Sequence, residues 1–241
     1  MATMAEGVWR SAEETVGNLL KQYPTFDLVI TGHSLGAGTA CLLHVLLWHK
    51  RQQDPLFLDS RKIECFAFAA PPVFHPVSSL HDEVLASCTQ YIHEKDVVPF
   101  LSVHTIRQLF SLLNVVETYP WTRRERFGVM FGSRPPSSSL VDEISNKANQ
   151  ELEHKEGCPP LAVPAQYSIL LQHDPPPAGT IEEDDLNWSC TPKVLDWKDM
   201  VGHLKTRRFG PFELHEHMGS DHVPPRYEHA LSHLSGNSAT K

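Results

Sequence analysis

Gly32-His33-Ser34-Leu35-Gly36 constrains this chain more than any other segment, because it joins two runs that require different backbones. Ahead of it, Asp27-Leu28-Val29-Ile30 is a short apolar run with the length of a buried strand. Behind it, Gly36 to Lys50 reads as a long helix whose first turns hold Gly36, Ala37, Gly38 and Ala40, residues small enough for close packing on a sheet. A G-x-S-x-G sequence at such a junction is a sharp, strained turn that presents the serine hydroxyl at the carboxyl end of the sheet. The helix N-terminus and the Leu35 amide then point to where negative charge develops on a tetrahedral intermediate. Ser34 is therefore the candidate nucleophile and Leu35 the candidate oxyanion donor, with Gly32, His33 and Gly36 framing the elbow.

The surrounding pattern alternates helix and strand in the manner of βαβ units feeding a parallel sheet. Val8 to Tyr23 repeats apolar residues at helical spacing until Pro24. Ile63 to Ala69 reads as the next strand, ending at Pro71-Pro72, and Thr89 to His93 as a third. Val103 to Val116 reads as a helix with Ile106, Leu109, Phe110 and Leu113 on one face. At Gly132 the composition changes: Ser133 to Leu195 holds nine of the 19 prolines and ten acidic residues against four basic ones. Such a stretch is expected to be a largely unstructured insertion that the chemistry does not need, although Leu161-Ala162-Val163 and Tyr167 to Leu171 remain open as a strand or a docking segment. The expected organisation is thus residues 1–132 with the nucleophile, an insertion over 133–195, a closing part over 196–234 with a strand at Phe209 to His215 and a helix at Arg226 to Leu234, and a frayed tail over 235–241.

A serine at neutral pH needs a base to take its proton and an acid to orient that base. Asp96 follows the strand ending at His93 and precedes Pro99, which makes it the candidate acid, with Glu94 as close rival and Asp82 and Asp59 as weaker ones. Among 15 histidines, His222 lies in a loop between the last strand and the last helix and is the candidate base. His215 and His217 share a strand face and with His222 could compose a metal site, but a serine elbow needs no metal. His44, His49, His229 and His233 read as core-edge or surface residues on helices.

Composition removes several other functions. Twenty-one Lys and Arg against 29 Asp and Glu give a net charge of −8, which leaves no footprint for a phosphate backbone, so no nucleic-acid partner is expected. The longest apolar run, Cys41 to Trp48, falls far short of a membrane span and contains His44, and no leader-like segment opens the chain. Five cysteines, Cys41, Cys65, Cys88, Cys158 and Cys190, form no C-x-x-C pair, which argues against a disulfide framework and against a zinc site and points to a reducing compartment.

Four segments in order, Leu28 to Ala40, Cys65 to Pro72, Lys95-Asp96-Val97-Val98-Pro99 and Ser220-Asp221-His222-Val223-Pro224, resemble the class 3 (fungal-type) lipases, and most nearly their sn-1-specific diacylglycerol lipase branch. The resemblance spans about residues 8–116 and 208–234. It implies an α/β-hydrolase fold, Ser34 as nucleophile, Asp96 as acid and His222 as base. It also implies a glycerolipid ester substrate met at a membrane surface, intracellular lipid turnover or signalling, and no cofactor, with calcium modulation left open and no calcium site visible. In that family a second oxyanion donor and the lid come from upstream. The chain is accordingly expected to be incomplete at its amino end, to be a poor esterase alone, and to expose Leu28 to Thr31 as a sheet edge. Two other functions fit the same residues: a phospholipase A1 or general carboxylesterase, and a catalytically impaired lipase-like fragment that serves as a binding module.

Overall fold

Five strands form one sheet in the order β1-β2-β3-β4-β5. The computed structural model describes residues 1–54, 56–123, 138–153, 161–173, 190–196 and 217–236. Within these, α1 (Ala2–Gln22), β1 (Leu28–His33), α2 (Leu35–Gln53), β2 (Ile63–Phe68), α3 (Asp82–Ala86), β3 (Cys88–His93) and α4 (Val103–Thr118) follow one another. They continue into α5 (Ser138–Glu153), β4 (Tyr167–His173), β5 (Cys190–Asp196) and α6 (Pro224–Gly236). Strands β1 to β4 run parallel and β5 returns antiparallel to β4, so the sheet is mostly parallel and flanked by helices, as in an α/β hydrolase.

Alternation along the strands sorts side chains between two layers. Ile30, Cys65, Ala67 and Cys88 face α2, whose Ala37, Ala40, Cys41, Leu43 and Leu47 fill the larger core, with Ala5 and Trp9 of α1 behind it. On the opposite face Phe68 stacks on Tyr91 at 5.0 Å, its register neighbour across the ladder, and Tyr227 and Ala230 of α6 close over them with Leu171. β1 pairs only with β2 among the described residues, and its Val29 is 53% exposed.

The stretch over 133–195 departs from expectation. It contributes α5, β4 and β5, and β4 is the inner partner of β3, with Leu171 fully buried and the Ser168 hydroxyl donating to Gln90 Oε1 at 2.8 Å. Its described parts, 138–153, 161–173 and 190–195, are therefore not an unstructured insertion, since the sheet runs through them, and the rest of the stretch lies outside the described residues. Of the two alternatives left open for Tyr167 to Leu171, the strand is what the structure has, within a stretch whose composition is dominated by prolines and acidic residues. α4 also differs. Its expected apolar face is turned outward at Ile106, Phe110 and Leu113, while Thr105, Ser111 and Val115 are buried, because α4 packs on Ile144 and Ala148 of α5 through its narrower side. The expected strand at Phe209 to His215 lies outside the described residues. No helix among the described residues is long and apolar enough to cross a membrane.

Candidate active site

Parallel strands deliver their carboxyl ends to one side of the sheet, and β1 and β3 each end one short turn before a candidate residue. β2 stands between them, so Ser34 and the Asp96 loop are separated by roughly two strand spacings, about 10 Å. An imidazole approaching from a third segment fits that gap.

Ser34 sits at the turn itself, with φ 57° and ψ −125°, a conformation L residues avoid and that costs about 1–3 kcal/mol. Hydrogen bonds on both sides hold it there. Its N–H donates to the Phe68 carbonyl at 2.9 Å, and its carbonyl accepts from the amides of Ala37 at 2.9 Å and Gly38 at 3.1 Å. The two elbow glycines do different things. A Cβ on Gly32 would lie 2.4 Å from the Gly36 carbonyl oxygen and 2.8 Å from the Ala37 nitrogen, so no side chain fits. A Cβ on Gly36 would meet nothing within 4 Å. Of the two elbow glycines the close approach is thus required of Gly32 alone, with Gly36 supplying the backbone it meets. Leu35 opens α2, half exposed, with its amide at the helix N-terminus.

His222 lies in a short 3-10 turn, Ser220–His222, ahead of α6. Its Nε2 is 2.8 Å from Ser34 Oγ, and its Nδ1 is 3.0 Å and 3.1 Å from the two carboxylate oxygens of Asp96. An ionised carboxylate only accepts, so Nδ1 carries the proton and Nε2 offers its lone pair to the serine hydroxyl. Asp96 is fully buried, and it accepts further from the Val98 amide at 2.9 Å and the Tyr227 hydroxyl at 2.6 Å. The structure thus brings Ser34, Asp96 and His222 into one hydrogen-bonded chain. Glu94 and Asp82 are outside that chain of bonds, and Asp59 falls in a short 3-10 turn, Phe57–Ser60, ahead of β2.

Three supporting contacts escape a reading of the sequence. Tyr227 bridges two elements, its hydroxyl donating to Asp96 and accepting from the His93 amide at 3.0 Å. Burial, reinforced by the neighbouring Asp96 charge, pushes the Tyr227 hydroxyl well above its ordinary range, so it stays a donor. His33 Nε2 donates to the backbone carbonyl of His222 at 2.8 Å and its ring lies 4.8 Å from the His222 ring, which ties the elbow to the base loop. Asp221 anchors that loop from the other side by accepting from the Lys95 amide at 3.1 Å. The only available signal was proximity in sequence: His33 and Asp221 adjoin candidate residues, whereas Tyr227 reads as an ordinary apolar position of a helix.

Of the other histidines, His44 is buried rather than at the core edge, bonding Ser87 Oγ at 3.0 Å, and His49 is exposed. His229 and His233 pair at 3.2 Å on α6. His217 is exposed in the turn before His222, and His215 lies outside the described residues. Beside this assembly, an open pocket of about 570 Å³ is lined by His33, Phe68, Pro224, Tyr227, Glu228, Leu231 and Ser232.

Comparison with known proteins adds a family. Residues 1–105 match the family Lipase (class 3), a span that includes Ser34 and Asp96 and ends before His222. The chain is similar to a lipase of Rhizomucor miehei, with 30% identity over 108 residues, 44% of this chain and 27% of that protein. It is also similar to a lipase of Caenorhabditis elegans, with 29% identity over 97 residues, 40% of this chain and 26% of that one. The chain therefore spans about a quarter of the length of the curated relatives it matches. Among solved structures, lipase II from Rhizopus niveus is 25% identical over 41% of this chain and 36% of its own, with a TM-score of 0.35.

Proposed function

With residues 1–105 matching the class 3 lipases, we propose that this protein hydrolyses acyl esters of glycerolipids, with diacylglycerol the preferred class, through Ser34, His222 and Asp96. The observation that carries this reading is the unbroken relay from Ser34 Oγ through His222 to the buried Asp96 carboxylate. His222 Nε2 takes the Ser34 proton as Oγ bonds to the ester carbonyl carbon. The carbonyl oxygen becomes anionic, and the Leu35 amide at the N-terminus of α2 is placed to donate to it. Asp96 holds the Nδ1 proton and stabilises the imidazolium. Collapse of the intermediate breaks the bond to the glycerol oxygen, which leaves with the proton from His222, and Ser34 keeps the acyl group. Water, deprotonated by the same Nε2, then releases the fatty acid and restores the serine. Substrate is met at a lipid surface, since glycerolipids with two acyl chains do not dissolve as monomers.

The test is fatty-acid release from diacylglycerol, from phosphatidylcholine vesicles and from a short-chain ester, each with the parent protein and Ser34→Ala. Turnover should fall by three or more orders of magnitude in the variant. Parent-like hydrolysis by Ser34→Ala removes the nucleophile, and a preference for phosphatidylcholine replaces the substrate with a phospholipid.

A further inference from the structure

Three thiols from three separate elements meet in the core beneath the nucleophile helix. Cys41 lies on α2, Cys65 on β2 and Cys88 on β3, and all three are fully buried and free. Their sulfur atoms lie within 4.8 Å of one another, with Cys41 Sγ and Cys88 Sγ 4.0 Å apart. The sequence argued against a metal site because no two cysteines are closely spaced. The parallel sheet removes that objection, since the adjacent strands β2 and β3 and the helix α2 packed on them bring residues more than twenty positions apart to one point.

The spacing has a chemical reading. A metal–thiolate bond is about 2.3 Å, and three such bonds in a trigonal plane set their sulfurs about 4.0 Å apart. From this geometry we propose that Cys41, Cys65 and Cys88 form a three-thiolate site for a soft d10 cation, of which Cu(I) and Cd(II) are examples. Soft sulfur donors select such ions over the hard cations that carboxylates bind. Among the described residues no histidine nitrogen or carboxylate oxygen joins the three sulfurs in that 4.8 Å group, and the buried His44 on α2 bonds Ser87 through Nε2. The three sulfurs are therefore the donor set, and Zn(II), which takes a fourth ligand in structural sites, binds less well. Binding breaks three S–H bonds, forms three metal–sulfur bonds and releases three protons to solvent, with no change of oxidation state. An ion held here ties α2, which begins at Ser34, to β3, which leads to Asp96, without touching either.

The experiment uses the full chain with Cys158→Ser and Cys190→Ser, titrated without oxygen by Cd(II), Cu(I) and Zn(II) in turn. Cd(II) should bind one equivalent, with thiolate-to-metal charge-transfer absorption, release of three protons and a rise in Tm. Cu(I) should compete with it and Zn(II) should not. Each of Cys41→Ala, Cys65→Ala and Cys88→Ala should weaken Cd(II) by more than the roughly 10- to 100-fold that loss of an outer-shell partner costs. A readout that needs no further variant is protection from alkylation: bound Cd(II) should shield Cys41, Cys65 and Cys88, mapped by mass. Absent charge-transfer absorption, protection of other residues, Zn(II) binding tighter than Cd(II), or a Cys41–Cys88 disulfide in the purified protein each overturns the proposal. None of these outcomes bears on ester hydrolysis, which is measured separately.

Discussion

Helices α2 and α4 both begin just beyond a residue of the proposed triad, and they meet the rest of the molecule in opposite ways. α2 starts at Ser34 and buries Ala37, Ala40, Cys41, Leu43 and Leu47 between the sheet and α1. α4 starts a few residues after Asp96 and leaves Val103 57%, Phe110 66% and Leu113 52% exposed, while Leu112, Val115 and Val116 pack on α5. What α4 buries is small or polar, and every buried hydroxyl is satisfied. Thr105 Oγ1 donates to the Phe100 carbonyl at 2.8 Å, and Ser111 Oγ to the Ala148 carbonyl of α5 at 3.0 Å. Apolar periodicity therefore identifies a helix but not the side it buries. α2 is sandwiched between two surfaces and is apolar toward both, whereas among the described residues α4 packs chiefly on α5 and leaves its other side exposed.

The sharpest way to break the α2 side of this contrast is at its first contact. Gly32→Ala drives a Cβ into the backbone of Gly36 and should cost at least about 3 kcal/mol with loss of the elbow, while Gly36→Ala should be neutral or stabilise by up to about 1 kcal/mol. Thermal or urea unfolding of the two variants reads this directly, and equal effects would mean that the close approach is shared.

The helix cores come next. Leu47→Ala on α2 should destabilise by about 2–5 kcal/mol, whereas Phe110→Ser on α4 should stay within about 0.5 kcal/mol of the parent. A large loss at Phe110 in the same urea titration would show that α4 turns its apolar face to something in solution.

The smallest effect concerns the kind of polar group each helix buries. Those of α4 are hydroxyls that do not titrate near neutrality, but α2 buries His44, and burial holds its imidazole below the ordinary histidine range. The unfolded chain takes up that proton near pH 6.5 while the folded one does not. Stability should therefore be full above about pH 6.5 and decline as the pH falls below it. Tm measured across that interval should show a shallower acid slope for His44→Gln than for the parent, and identical slopes would remove His44 from the account.

These contrasts also explain what the sequence disclosed. The elbow was legible because steric demand at Gly32 and strain at Ser34 act on adjacent residues, so strand, turn and helix appear in one short window. The proposed acid and base were legible because the order of strands and loops narrows the choice, although Asp96 and Glu94 are separated only by geometry: Asp96 turns inward to three donors while Glu94, with φ 41°, carries the bend at the end of β3. β4 was legible only as an apolar patch at Tyr167 to Leu171, because the composition around it left strand and docking segment equally open. The inward side of α4, the Tyr227 hydroxyl and the thiol cluster were illegible for a common reason: each depends on which elements lie side by side, and residues far apart in the chain reveal that only once the sheet order is known.

The central claim is that His222 and Asp96 activate Ser34. Its most direct test is covalent capture with a fluorophosphonate ester, with the modified residue located by mass and the rate followed in Asp96→Asn and His222→Ala. One adduct is expected, on Ser34, formed about three to four orders of magnitude more slowly in either variant. An adduct on another residue, or a Ser34 adduct that forms at the parent rate without His222, would contradict it.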